Sequence, residues 1–227
     1  MTHTRLCILL LLFGWMPLMA QLNDLYGDFR EHRRGTHGGN QYRSTFYNDG
    51  EWGRSHRDPE AIPGEWPINS GNAYMLDGHA HIGSEIIDAN GELKHVFSEA
   101  IGGGGEGGGG VATGELGPEG DWYTFLPLPG FANPDTNKIA MAKGGKMWAN
   151  SWPTNWPDKM DDTVDPGWVG SWNGYFGKNQ FNADEESYFV TDDAKNKEFF
   201  FFPDATDSLR RGLAMRQYVR GLQWSNP

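Results

Sequence analysis

The sequence predicts a mainly β protein, an antiparallel sandwich-like domain with long irregular loops rich in Gly, Pro and Trp. Three observations carry that expectation. Short runs alternate apolar with polar residues, and each is closed by Gly, Pro, Asn or Asp, the pattern of half-buried strands joined by turns. Outside residues 213–224, no amphipathic stretch of about twelve residues has helical period. The 227 residues include 32 Gly and 13 Pro, yet aromatics reach 14% and Trp alone numbers 10. A core is therefore available, and rings must supply much of it.

Taken in order, residues 1–20 read as a secretory signal peptide. Arg5 supplies the charge, Leu6 to Phe13 the apolar run, and Pro17-Leu18-Met19-Ala20 the cleavage end. A membrane anchor needs about 20 apolar residues, longer than this run, so no membrane span is expected after cleavage. Cys7 is the single cysteine, and its loss with the leader leaves an exported chain without disulfides. Such a chain relies on its core, on metal, or on attachment to more protein.

Residues 21–63 read as an extended polar arm with one strand, Tyr42 to Tyr47, turned by Asn48-Asp49-Gly50. Residues 64–227 form the β domain. Its clearest element is a hairpin over Ala73 to Phe97, with Leu76, Ala80, Ile82, Ser84 and Ile86 on one parity. Asp77, His79, His81 and Glu85 take the other. Asp88-Ala89-Asn90-Gly91 makes the turn, Asn-Gly being the strongest short hairpin signal. In the two simplest registers His95 points away from His79 and His81.

Gly102–Gly105 and Gly107–Gly110 flank Glu106, a run that no side chain pins and that reads as a mobile hairpin connection. Further strands are expected at Asp121 to Leu126, Lys138 to Met141, Ser187 to Val190 and Glu198 to Phe202. Residues 213–224 suit a helix on propensity, but Leu213, Met215 and Val219 alternate with Arg216, Tyr218 and Arg220, which favours a strand. The chain closes on Gln223-Trp224-Ser225-Asn226-Pro227 in mid-pattern. The expectation is the front part of a longer protein, truncated at the C-terminal end of its β domain.

The charge, −11, comes without a basic block, which argues against nucleic acid as a partner. Two constellations suggest chemistry. Asp77, His79 and His81 share a strand face and suit a divalent metal, the single cofactor the sequence suggests. Asp-x-His-x-His also looks like the first metal strand of amidohydrolase barrels, but a chain without βα alternation cannot build one. Solvated polar residues opposite a core face are the competing explanation. The second constellation is aromatic: Trp148, Trp152, Trp156, Trp168, Trp172 and Tyr175, running on to Phe176. Pro153 and Pro157 forbid a helical stripe. Flat rings on loops beside short amides suit sugar stacking, and equally suit plugging a helix-free core. The acidic segments Asn182 to Glu186 and Thr191 to Asp193 offer carboxylate oxygens, yet no Asp-x-Asp-x-Asp-Gly calcium loop is present. Nor is there a Gly-x-Ser-x-Gly elbow or a Walker loop, and no catalytic residue is assigned.

Several phrases occur together: Gly64-Glu65-Trp66-Pro67, Phe125 to Pro134, Trp152-Pro153-Thr154-Asn155-Trp156-Pro157-Asp158, Trp172 to Glu186, and Arg220 to Asn226. In combination, and over most of residues 40–227, they resemble the N-terminal region of large exported bacterial surface proteins. Those proteins often continue into fibronectin type III-like modules and a C-terminal sorting tail. The resemblance implies a secreted or cell-surface location and, as partners, the remainder of a longer polypeptide or other surface proteins. The poly-Gly insert and Asp77 to His81 have no counterpart in it.

The expectation is thus an exported, non-enzymatic structural or attachment module. The alternative is a carbohydrate-binding or carbohydrate-processing module using the Trp148–Phe176 region, with glycans as partners.

Overall fold

The computed structural model describes residues 26–53, 58–99, 125–129, 132–133, 138–144, 146–147, 171–193 and 215–225. Over these the protein is mainly β and antiparallel. The expected leader, the poly-Gly run, residues 121–124 and the expected strand at Glu198 to Phe202 lie outside them. A short 3-10 turn, Phe29–Glu31, opens the described chain. Next come β1 (Arg34–His37), β2 (Ser44–Tyr47), β3 (Trp52–Gly53), β4 (Gly64–Glu65), β5 (Ala73–Met75) and β6 (Asp77–Gly78). They are followed by β7 (His81–Ile87), β8 (Leu93–Glu99), β9 (Leu126–Pro127), β10 (Ala132–Asn133), β11 (Lys138–Lys143) and β12 (Lys146–Met147). The last four are β13 (Asn173–Gly174), β14 (Gly177–Lys178), β15 (Glu185–Asp192) and β16 (Arg216–Gln223).

The main sheet runs β10-β11-β15-β16, with β12 added beside β11 and β9 beside β15. Its middle strand, β15, reads Glu-Glu-Ser-Tyr-Phe-Val-Thr-Asp and is buried along its whole length. Both faces of the sheet are covered. On one, Tyr188, Val190, Ala140 and Ala142 pack with Leu128 and Trp172. On the other, Phe189, Ile139 and Met141 meet Phe46 from β2. β2 belongs to the second large sheet, ordered β1-β2-β3-β6, so Phe46 stitches the two sheets in sandwich fashion. Gly35 makes room for it: a Cβ there would lie 2.3 Å from the Phe46 ring.

The stretch expected as an extended arm is therefore an integral layer. It carries three strands rather than one, and residues 44–49 are buried. Its polarity has a physical purpose, since its backbone N–H groups and side chains neutralise polar atoms inside the neighbouring sheet.

The β7–β8 hairpin forms as expected, but its register corrects the reading of His95. The loop is three residues long, Ala89 to Gly91, with Gly91 at φ +82°. Asp88 Oδ1 accepts the N–H groups of Asn90 and Glu92, both at 2.9 Å. This is the turn-plus-bulge closure of a three-residue hairpin. An odd loop shifts parity by one, so His95 stands opposite Glu85, with Nδ1 3.5 Å from its Oε1. His95 thus shares the face of His81.

Candidate functional site

The expected metal trio is not one strand face. Asp77 pairs with Gly53 in the second sheet, whereas His81 opens a separate hairpin. The rings of His79 and His81 lie 4.3 Å apart. Burial, and then the neighbouring His81, pushes the His79 imidazole pKa down, while Asp77 works the other way. Among the described residues no group of three or more His, Cys, Asp or Glu would hold a metal ion.

The aromatic set separates too. Trp148, Trp152, Trp156 and Trp168 lie outside the described residues. Trp172, expected as a ligand contact, is a core residue at 1% exposure. Its indole N–H donates to Glu186 Oε2 at 2.8 Å, and Glu186 Oε1 accepts the N–H groups of Asn182 and Ala183. A ring committed to the core and to a buried carboxylate offers no face to a ligand. Tyr175 and Phe176 instead cap the β13–β14 hairpin, edge to face and exposed.

What the fold does assemble is an open groove of about 810 Å³. Its floor is residues 39–42, Gly-Asn-Gln-Tyr. Trp66 forms one side and Trp224 with Ser225 the other. Both indoles are 51% exposed. Three carboxylates, none of them lining the groove, hold its parts in place.

Glu65 holds the Trp66 side. Its Oε2 takes a fork from Arg43, Nη2 at 2.7 Å and Nε at 2.8 Å, and its Oε1 accepts the Gly71 N–H at 2.8 Å. Above all the Gly71 N–H, then the Asn69 N–H and Arg43, hold the Glu65 carboxyl below the usual range against the opposing effect of burial. The loop from Trp66 to Asn72 is thereby closed on itself, with the Trp66 N–H bonded to Asn72 O. The Trp66 ring stands at 74° to Tyr74.

Asp184 holds the opposite side. Its Oδ2 accepts both the backbone N–H and the hydroxyl of Ser225, and these bonds lower its pKa. Trp224 Nε1 donates to Asn182 O at 2.6 Å.

Glu185 holds the floor. It is 1% exposed, and its Oε2 accepts the Gly38 N–H at 2.6 Å. Lys143 Nζ lies 2.7 Å from Oε1, and His37 Nδ1 3.6 Å from Oε2. Burial drives this carboxyl upward, but His37, Lys143 and the Gly38 N–H outweigh it and hold it at about 2. Gln223 completes the floor: its Oε1 accepts the Gly39 N–H, and its Nε2 donates to Tyr42 O and Asn40 Oδ1. Asn40 Nδ2 in turn donates to Trp224 O at 2.8 Å, joining floor to wall.

Beneath the floor, Ser187 Oγ lies 2.9 Å from His37 Nε2, so Ser187, His37 and Glu185 stand in the order of a hydrolytic relay. The surroundings rule out that chemistry. Ser187 is 2% exposed in the middle of β15, and a Cβ on Gly221 would stand 2.4 Å from its Oγ. No acyl carbon can approach. The relay is a clasp fastening β1 to β15.

Nothing in sequence reasoning paired Trp66 with Trp224, although both sit in phrases that carry the family resemblance. The available signal was a Trp beside turn residues in each phrase. Among the described residues no helix is long and apolar enough to cross a membrane. Compared with protein-family models, curated proteins and solved structures, the chain matches none.

Proposed function

We propose that the chain is an attachment module of an exported bacterial surface protein, acting by contact rather than by catalysis, with the Trp66–Trp224 groove as its contact face. The observation that carries this reading is the way the groove is held. Glu65, Asp184 and Glu185 hold its three parts from outside its lining. A rigid, pre-formed surface with half-exposed indoles loses little ordering entropy when it binds. The leader at residues 1–20 and the resemblance to exported surface proteins support the location.

The test is co-sedimentation of the purified protein with bacterial envelope fragments, together with fractionation of producing cells. Export and sedimentation that is lost in folded Trp66→Ala are the expected results. A protein that stays inside the cell, or pellets equally well without Trp66, would end this reading. The second reading, glycan contact through the Trp148–Phe176 region, is favoured only by the exposed pair Tyr175 and Phe176. Tyr175→Ala tests it in the same assay.

A further inference from the structure

We infer that the groove binds an uncharged polysaccharide, with sugar rings stacked on Trp66 and Trp224 and hydroxyls hydrogen-bonded along the 39–42 floor. This rests on the attachment reading and names its ligand class.

The lining itself selects the chemistry. The chain carries −11 overall, yet among the described residues every side chain lining the groove is uncharged. The three carboxylates that brace it are already bonded: Glu65 to Arg43 and Gly71, Glu185 to Lys143 and Gly38, Asp184 to Ser225. A polyanion would meet an acidic protein with no cation in the groove to receive it. A cation would find indole faces but no facing carboxylate to complete the site. What remains is a ligand with apolar faces and many neutral hydroxyls. Pyranose rings have both, with C–H groups for the indoles and O–H groups for amides and carbonyls.

Shape agrees with that choice. The volume, about 810 Å³, falls within the roughly 300–1,000 Å³ of small-molecule sites. Both indoles line the groove together with the polar residues 39–42, so sugar units can rest on them. Each ring is fixed before binding, Trp224 through Asn182 O and Trp66 through its closed loop and Tyr74. Gln41 is exposed on the floor, where its amide can reach a hydroxyl.

Affinity electrophoresis in gels containing hydroxyethylcellulose, mannan, alginate or polygalacturonate tests the inference, with binding repeated at low and high salt. The expected result is retardation by a neutral polymer that salt leaves unchanged, since screening weakens only charge-driven binding. Trp66→Ala and Trp224→Ala should each weaken it by about tenfold or more, the usual loss at a buried aromatic anchor. Trp66→Tyr should recover part of it. Near-ultraviolet circular dichroism identifies folded variants, and Gln41→Ala gives a lesser loss without touching either wall.

Retardation by the anionic polymers alone, or binding that salt abolishes, would overturn the inference. So would neutral-polymer binding that survives the folded double variant. If no polymer retards the protein while envelope sedimentation still depends on Trp66, this inference falls and attachment stands. If sedimentation also fails, both fall.

Discussion

The β7–β8 hairpin and the central strand β15 are both antiparallel strands, and they treat polarity in opposite ways. The hairpin has the cleaner alternation, yet on its apolar parity Ile82 and Ile86 are only half-buried and Ser84 is exposed. β15 has no such alternation: five of its eight residues are polar or charged, and all eight are buried. Alternation reports that one face meets water. It does not report that the other face meets a core. A strand with both faces covered can instead bury carboxylates wherever the neighbouring chain brings donors. Lys143, His37, the Trp172 indole and several backbone N–H groups provide that kind of compensation here, which is why buried polar groups are tolerated.

The comparison breaks most easily at Trp172. Trp172→Ala removes a large core ring and leaves Glu186 short of a donor, so a loss of about 3–5 kcal/mol is expected. Urea unfolding measures it, and a loss under 1 kcal/mol would mean that this ring does not belong to the core.

Next comes Glu185→Gln. The variant keeps the shape but gives up charge-assisted bonds to Lys143 and Gly38, with a loss of about 1–3 kcal/mol at neutral pH. Its signature is in the acid limb. The folded-state pKa is about 2 against an ordinary 4.5, so the unfolded chain takes up this proton first. The stabilisation is fully present above pH 4.5 and disappears as pH falls through about 2. Thermal midpoints across that window should fall less steeply in the Gln variant. Parallel curves would deny the carboxylate its role.

A smaller effect belongs to the hairpin loop. Gly91→Ala places a side chain at φ +82°, costing about 1–2 kcal/mol. Hydrogen exchange should show faster opening of residues 81–99, with the main sheet unchanged. Protection lost across β15 as well would couple the two regions. The smallest effect sharpens the contrast: Leu93→Thr, an apolar residue removed from a strand, should shift stability by no more than about 0.5 kcal/mol.

Much of the strand content was legible in the sequence. β8, β11, β15 and β16 lie where alternation and turn residues predicted them, and the Asn-Gly turn marked its hairpin. The register of that hairpin was not legible, because whether Asp88 closes a loop of three residues or of four depends on its own hydrogen bonds. The groove was not legible for a different reason. Asn40 and Trp224 are 184 positions apart, and no local pattern links them. Trp172 misled because a Trp among Gly, Asn and Asp looks the same whether its ring faces water or Glu186.

The clasp between residues 37–42 and the far end of the described chain has a kinetic consequence. Gly39 bonds to Gln223, Asn40 to Trp224 and Gly38 to Glu185, across separations of 147 to 184 residues. Contacts so distant in sequence close late, since the loop entropy must be lost before the bonds form. A chain emerging from its N-terminus keeps β1 undocked until β15 and β16 have been made. The first layer synthesised is therefore among the last to lock, and it waits on residues 223–224.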